Sequence, residues 1–291
     1  MFLADKWQDY ELIDAGDGEK LERWGNVILQ RPDPQSIWPR GEWQQANAVY
    51  HRSSSGGGYW QQLRPYPKQW QISYNSVVGK LTFIIEPMGF KHTGLFPEQA
   101  ANWDYCAAKI QQSVAAGGEP RILNLFAYTG GATVACAAAG AAEVVHVDAA
   151  RGMNARAREN LAASGLEGRY VRCLADDAIK FVEREQRRGR TYDGIIMDPP
   201  SFGRGPGGEL WKLEDALYEL LLKASRLLTE KPLFFLVNSY TTGLAPTVVA
   251  NMLSLILVEE RGGRAVAEEL CLPATARKLL LPCGCTGRWE P

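Results

Sequence analysis

Residues 122–148 read I-L-N-L-F-A-Y-T-G-G-A-T-V-A-C-A-A-A-G-A-A-E-V-V-H-V-D. The first part, 122–127, is a short apolar run with aromatic character, the pattern of a buried strand. Thr129-Gly130-Gly131 breaks it. Residues 133–139 are small and apolar, which suits a helix packed closely on a sheet. Gly140 ends that helix, and 144–147 predict a second buried strand that finishes in the acid Asp148. The alternation continues with a helix at 151–164, a strand at 170–174, a helix at 178–188 and a strand at 195–197. An amphipathic helix at 212–228, a fifth strand at 233–237 and a helix at 245–261 follow. Segments 267–272 and 279–281 predict a closing hairpin. Strands and helices in this order predict an α/β doubly wound, mostly parallel sheet of seven strands, with its last strand antiparallel.

The first ninety residues follow a different pattern. Residues 10–14 alternate as a short strand, 15–18 turn, and 21–29 predict one returning strand that Arg31-Pro-Asp-Pro34 stops. Residues 38–50 are polar and aromatic, and the S-S-S-G-G-G of 53–58 predicts a flexible loop. Further strands are expected at 60–63, 71–74 and 80–86. Residues 90–99 form a loop entering a helix, with Pro97 placed for the first turn. That helix runs through Trp103, Ala107 and Ile110 to Gly117-Gly118. Two units are expected: a small β-rich, tryptophan-rich one at 1–89 and an α/β one at 90–291.

Composition narrows the class. A hydrophobic fraction of 46% with 32 basic and 33 acidic residues is that of an ordinary soluble globular chain. A net charge of −1 exerts no global pull on nucleic acid, so any such surface must be local. Six cysteines without a C-x-x-C, and His51, His92 and His146 alone, argue for reduced thiols and against a metal site. Asp5, Asp9, Glu11, Asp14, Asp17 and Glu19 are unlike a signal peptide, and no apolar run reaches the ~18 residues of a membrane span. The expectation is a cytoplasmic protein without a membrane partner.

The chemistry gathers at two turns. A sheet of this kind binds ligands at the carboxyl ends of its strands, and a glycine turn lets backbone N–H groups approach them closely. Asp148 sits where a ribose diol would lie. The turn is not G-x-G-x-x-G, which disfavours a nicotinamide or flavin dinucleotide. Fifty residues on, a strand runs into Asp198-Pro199-Pro200-Ser201-Phe202. Two prolines fix φ and remove donors, leaving carbonyls to face a pocket. A carbonyl and a carboxylate together accept from an exocyclic amino group, and Phe202 is placed to stack on a flipped base. Asp176-Asp177 is a second acidic pair, and one of the two is expected to cap the helix that follows.

With K-H-T-G-L-F-P-E-Q, N-L-F-A-Y-T-G-G, V-H-V-D, A-D-D-A-I-K-F-V and M-D-P-P-S-F in hand, the chain resembles class I S-adenosylmethionine-dependent methyltransferases. More closely it is similar to the bacterial large-subunit (23S) ribosomal RNA base methyltransferases, across about 90–281. The resemblance implies a Rossmann-like sheet and S-adenosyl-L-methionine as cofactor. It implies that Asn124, Phe126, Tyr128, Thr129, Gly130 and Gly131 cradle the methionine part. Lys91, Thr93, Gly94 and Gln99 would lie at the same end, with Lys91, Thr93 and Gln99 meeting its carboxylate. Asp148 would accept from the ribose hydroxyls, Ala149 would lie beside the adenine, and Asp177 or Asp176 would accept from its amino group. Asp198, Pro199, Pro200, Ser201 and Phe202 would form the catalytic turn, with Asp198 also beside the cofactor.

One departure bears on the substrate. Cytosine carbon-5 methylation by the related enzymes needs a cysteine just after the fifth strand, because carbon 5 is activated by covalent attack at carbon 6. Here that segment is Val237-Asn-Ser-Tyr-Thr-Thr242. A base nitrogen, which needs positioning more than covalent help, is therefore the expected target. Ribosomal RNA is the expected partner. A protein side chain, DNA or a small molecule is an alternative substrate, and an inactive RNA-binding assembly factor an alternative role. Trp7, Trp24, Trp38, Trp43, Trp60 and Trp70 are expected mostly to fill a small core, with one or two left to stack on bases. Arg277 and Lys278 on the closing hairpin are expected to meet phosphate, whereas Arg184, Arg187, Arg188 and Arg190 read as solvated charge.

Overall fold

The computed structural model describes residues 1–53, 57–204, 210–240 and 243–291. Strand β1 (Phe2–Leu3) leaves the amino-terminal region at once. Strands β2 (Tyr10–Gly16), β3 (Glu19–Trp24), β4 (Val27–Pro32), β5 (Ala48–Arg52) and β6 (Gly58–Gln62) form a five-stranded sheet in that order. Strands β7 (Trp70–Ser76) and β8 (Gly79–Ile85) form a separate hairpin. The single strand expected at 21–29 is two, because Gly25 at φ 64° reverses the chain inside the apolar run. Strand β5 emerges from the stretch read as merely polar and aromatic. Its buried Ala48 and Tyr50 alternate with half-buried Val49 and His51.

A 3₁₀ turn at Pro97–Gln99 opens α1 (Ala100–Ala115). Then come β9 (Arg121–Leu125), α2 (Gly131–Ala138), β10 (Glu143–Asp148), α3 (Arg151–Ala163), β11 (Val171–Ala175), α4 (Ala178–Arg187) and β12 (Gly194–Met197). A short ribbon of β13 (Phe202–Arg204) and β14 (Leu210–Lys212) precedes α5 (Leu213–Ser225), β15 (Phe234–Ser239) and α6 (Pro246–Leu253). The last helix continues through a π segment, Ser254–Val258, into α7 (Glu259–Arg261). Strands β16 (Arg264–Pro273) and β17 (Leu280–Glu290) close the chain and are much longer than the hairpin pattern suggested.

The main sheet has eight strands in the order β1-β16-β17-β15-β12-β9-β10-β11. Seven come from the α/β unit, and β1 adds an edge from the other end of the chain. Strands β15, β12, β9, β10 and β11 run parallel, and β17 lies antiparallel between β15 and β16. Successive residues of the central strands face opposite layers. Ile122, Val144, Ile196 and Leu236 pack with α1, α2 and the amino-terminal unit. Leu123, Val145, Ile195 and Val237 pack with α4, α5 and α6. Tyr10, Trp24, Tyr74 and Phe83 share the first layer with Trp103, so the β-rich unit and the α/β unit are held by one continuous core.

None of the six tryptophans of the first ninety residues is exposed. Five of them spend the indole N–H inside the fold: Trp7 on Pro97 O, Trp38 on Ala15 O, Trp43 on Asp14, Trp60 on Met88 O and Trp70 on Trp24 O. Trp24 lies in the core, and Trp7, Trp38, Trp60 and Trp70 pack against it, as expected for most of them.

Candidate active site

At the carboxyl end of the central strand β9 the backbone is forced out of its ordinary range. Phe126 has φ 55° and Tyr128 φ 50°, left-handed values that cost a non-glycine residue ~1–2 kcal/mol each. Four ties hold the turn. Ala127 N donates to Val147 O (3.1 Å) and Tyr128 N to Asp148 Oδ2 (2.8 Å). Thr129 Oγ1 donates to Gly94 O (2.6 Å), and Asn160 Nδ2 donates to Thr129 O (2.9 Å). Beneath the turn, Asn124 Nδ2 donates to Thr133 Oγ1 (3.0 Å), which meets His146 Nδ1 (2.9 Å). Burial holds His146 down to about 4, so its imidazole is neutral. A Cβ on Gly131 would come within 2.5 Å of Trp103, so only glycine lets the turn sit this low.

An open cleft lies over this turn. Of the residues expected at the cofactor, Gln99, Asn124, Phe126, Tyr128, Thr129, Gly131 and Asp198 line it. Leu95, Phe96, Trp103, Ile196 and Asn238 line it too. Asp148 flanks it: Oδ2 holds Tyr128 N, and Oδ1 accepts from Ala150 N at 2.8 Å. Each oxygen keeps a second lone pair, and burial raises the carboxyl above its ordinary value. Ala149 is exposed next to it. Asp177 caps α4 by accepting from Lys180 N (2.9 Å), and Asp176 is paired with Arg184. Both acids therefore carry structural bonds, beside Asp148 through Asp176 N on Asp148 O (3.2 Å).

The Lys91–Gln99 segment is divided. Among the described residues Thr93 Oγ1 is buried without a partner, whereas Gln99 is bonded through both its side-chain oxygen and nitrogen. Its Oε1 accepts from Asn102 (2.8 Å) and Asn238 (3.2 Å), and its Nε2 donates to Tyr240 OH (2.5 Å). Lys91 does not line the cleft. Its Nζ turns toward the β-rich unit, 3.4 Å from Pro32 O.

Asp198 stands at the end of β12 with one edge on the cleft and, among the described residues, Oδ1 enclosed without a partner. Burial, with the nearby charge of Glu98 second, pushes its carboxyl up to about 8. Glu98 is itself buried and raised. The turn's carbonyls are not all free, as the two prolines had suggested. Pro200 O accepts from Trp211 Nε1 (2.6 Å), and Ser201 O accepts from Leu213 N (3.0 Å). Among the described residues no donor meets Pro199 O, so it and Asp198 remain as acceptors. Trp211 also packs on Phe126 with ring centroids 6.3 Å apart, joining the Asp198 turn to the β9 turn. Phe202 is 59% exposed. Residues 241–242, just beyond Tyr240, lie outside the described residues.

No thiol here is ready to attack. Cys283 is raised well above its ordinary value by burial, and Cys285 is pushed up to about 11 for the same reason. Two of the hairpin cations are also spent, whereas Lys278 stays exposed, with no ion pair among the described residues. Arg277 binds Asp14 Oδ1 (2.9 Å), Pro39 O (2.7 Å) and Ala15 O (2.6 Å), fastening the closing hairpin to β2. Arg288 is bonded to Asn102 and Ala101 O and stacks on Phe2. Arg188 and Arg190 pair with Glu185, and Arg190 also with Glu143. Sequence patterns gave no role to Trp211, Tyr240, Asn238 or Asn160, because their bonds depend on how the folded chain packs rather than on local periodicity. A buried polar residue at the end of a buried strand, as at Asn238, is the one such signal available.

Residues 51–230 match the S-adenosylmethionine-dependent methyltransferase family. The chain belongs to that family. A crystal structure of the SAM-dependent methyltransferase from Agrobacterium tumefaciens is 33% identical, covers 100% of this chain and 93% of its own, and superposes with a TM-score of 0.91. SMU.776 in complex with SAH, at 18% identity and a TM-score of 0.71, shares the fold. Ribosomal RNA large subunit methyltransferase K/L of Syntrophotalea carbinolica is 29% identical over 190 residues, 65% of this chain and 25% of that protein. Ribosomal RNA large subunit methyltransferase I of Shewanella denitrificans is 29% identical over 164 residues, 53% of this chain and 38% of that protein. The chain thus spans well under half the length of these curated relatives. The cleft fits the family's cofactor on its own geometry: a floor that only Gly131 permits, and an aspartate beside it with lone pairs to spare. Among the described residues no group of His, Cys, Asp and Glu is arranged to hold a metal, and no helix is long and apolar enough to cross a membrane.

Proposed function

We propose that this methyltransferase modifies a base nitrogen of ribosomal RNA. The observation that carries the reading is Asp198 at the cleft, whose Oδ1, like the adjacent Pro199 O, meets no donor among the described residues, with no activated thiol to serve a carbon-5 route. When bound, S-adenosylmethionine supplies an electrophilic methyl group. Asp148 and the Phe126–Gly131 turn would hold it, with Thr93 and Gly94 at its methionine end. Asp198 and Pro199 O would accept the two N–H groups of an exocyclic amine. That orients the nitrogen lone pair into the cleft, where positioning provides most of the rate. A carboxylate that titrates near 8 is also matched to take up the amine proton once the new N–C bond forms. Exposed Phe202 would stack on the extruded base. Ribosomal RNA as the class is supported by the names of the two curated relatives.

The test is mass spectrometry of nucleosides from ribosomal RNA of a deletion strain and its parent. Loss of one N-methylated nucleoside is expected. Loss of 5-methylcytidine, or an unchanged profile with methyl transfer to protein or DNA, would overturn the reading.

A further inference from the structure

Three cations crowd the junction between the β-rich unit and the cleft, and two are accounted for. Arg31 is spent on Glu22 and donates to Lys91 O (3.0 Å). Lys20 pairs with Asp33 (3.2 Å) and Glu22 (3.7 Å). Lys91 is the exception: half-buried, it meets only Pro32 O, and no carboxylate lies within ion-pair distance among the described residues. A buried ammonium without an anion is costly. Burial first, then the neighbouring Lys20, Arg31 and Arg52, hold it down to about 8, against a partial compensation by Asp33.

The lie of the strands shows which way this charge faces. Tyr50, Arg52 and Trp60 share one face of β5 and β6, as the alternation and the Tyr50–Trp60 pairing require. Trp60 Nε1 binds Met88 O (2.8 Å), so that face is turned to the loop carrying Lys91. Arg52 is exposed and has no ion pair among the described residues. Phe90, next to Lys91, is 68% exposed. Lys91 is tied to the cleft's rim through its neighbour His92, whose ring stands 5.3 Å from Phe96 and 6.2 Å from Tyr128, both lining residues. Its amine nonetheless points away from the cleft.

We infer that Lys91 and Arg52 form a seat for a backbone phosphate of the RNA strand entering the cleft, with Phe90 placed to stack on an adjoining base. This rests on the RNA reading above and moves Lys91 from the cofactor to the substrate. An unpaired cation pair beside an exposed aromatic ring is the chemistry that single-stranded nucleic acid recognises.

The experiment uses the full chain and a labelled single-stranded fragment of large-subunit ribosomal RNA. Anisotropy is recorded from low to moderate salt for wild type, Lys91→Met, Arg52→Gln and the double variant. Calorimetry measures S-adenosylhomocysteine binding to each. Each single change should weaken RNA binding about tenfold at low salt, the size of one charge-assisted contact. The double variant should flatten the slope of log K against log salt by about 0.7, the change for one phosphate neutralised on a single strand. Lys91→Arg should restore binding, and cofactor affinity should stay within twofold throughout. A fall in cofactor affinity in Lys91→Met, with RNA binding intact, would return Lys91 to the cofactor and overturn the seat. Unchanged affinity and slope, in a wild type that binds and methylates RNA, would remove the seat alone. A wild type that neither binds nor methylates RNA would remove the RNA reading and the seat together.

Discussion

Replacing Asp198 by Asn should make the cofactor-free protein more stable, and increasingly so as pH rises. An ordinary aspartate titrates at 3.8 and Asp198 at about 8. The folded value lies above the unfolded one, so the protonated acid is the form the fold prefers. That stabilisation is complete below pH ~4 and is lost as pH climbs through about 8. The full separation corresponds to about 6 kcal/mol at ~1.4 kcal/mol per pH unit. Water at the open edge of the cleft screens the charge and reduces the cost to about 2–4 kcal/mol. Asn has the same shape, stays neutral and avoids that cost. Thermal unfolding at pH 8 should therefore rise by ~5–10 °C in Asp198→Asn, with a smaller gain at pH 6 and none near pH 4. Turnover in the same variant should fall, because the carboxamide keeps an acceptor oxygen for the amine but cannot take up its proton. For wild type, kcat/KM should rise with pH toward about 8, as the carboxylate forms. An Asp198→Asn protein no more stable than wild type at pH 8, or equally stabilised at every pH, would refute this account of the buried acid.

Asp148→Ala should weaken S-adenosylhomocysteine binding by ~1.5–3 kcal/mol in calorimetry, through a lost charge-assisted bond and a loosened Tyr128 turn. Undiminished affinity would take Asp148 out of the site. Trp211→Phe keeps the ring on Phe126 but removes the bond to Pro200 O. Its kcat should fall roughly 3–10-fold with cofactor affinity unchanged, and equal loss in both would mark a general structural role. Arg277→Ala should destabilise the protein by about 1–3 kcal/mol, because Asp14 is left almost fully buried without its cation. RNA affinity in that variant should hold, and a selective loss of RNA binding at full stability would return Arg277 to the substrate face.

The strand, glycine turn, helix, strand and acid of 122–148 were legible because each depends on local periodicity. Parallel strands buried on both faces read as unbroken apolar runs, and a turn against a ligand demands glycine. The D-P-P-S-F turn was legible for the same reason, since proline restricts the backbone wherever it stands. The same local rules missed Gly25, which reverses the chain within an apolar run, and β5, whose alternation is short.

Which polar groups are free and which are spent was settled only by tertiary contacts. Arg277 and Lys91 look alike in the sequence, yet one is saturated by Asp14 and two carbonyls and the other has no ion pair among the described residues. Pro200 and Pro199 stand side by side in one motif, yet Trp211 occupies the carbonyl of the first and leaves that of the second. A side chain's residue type fixes what it can donate or accept. Its partners arrive from 11 to 263 positions away in these cases, and the packing of the folded chain decides what remains for a substrate.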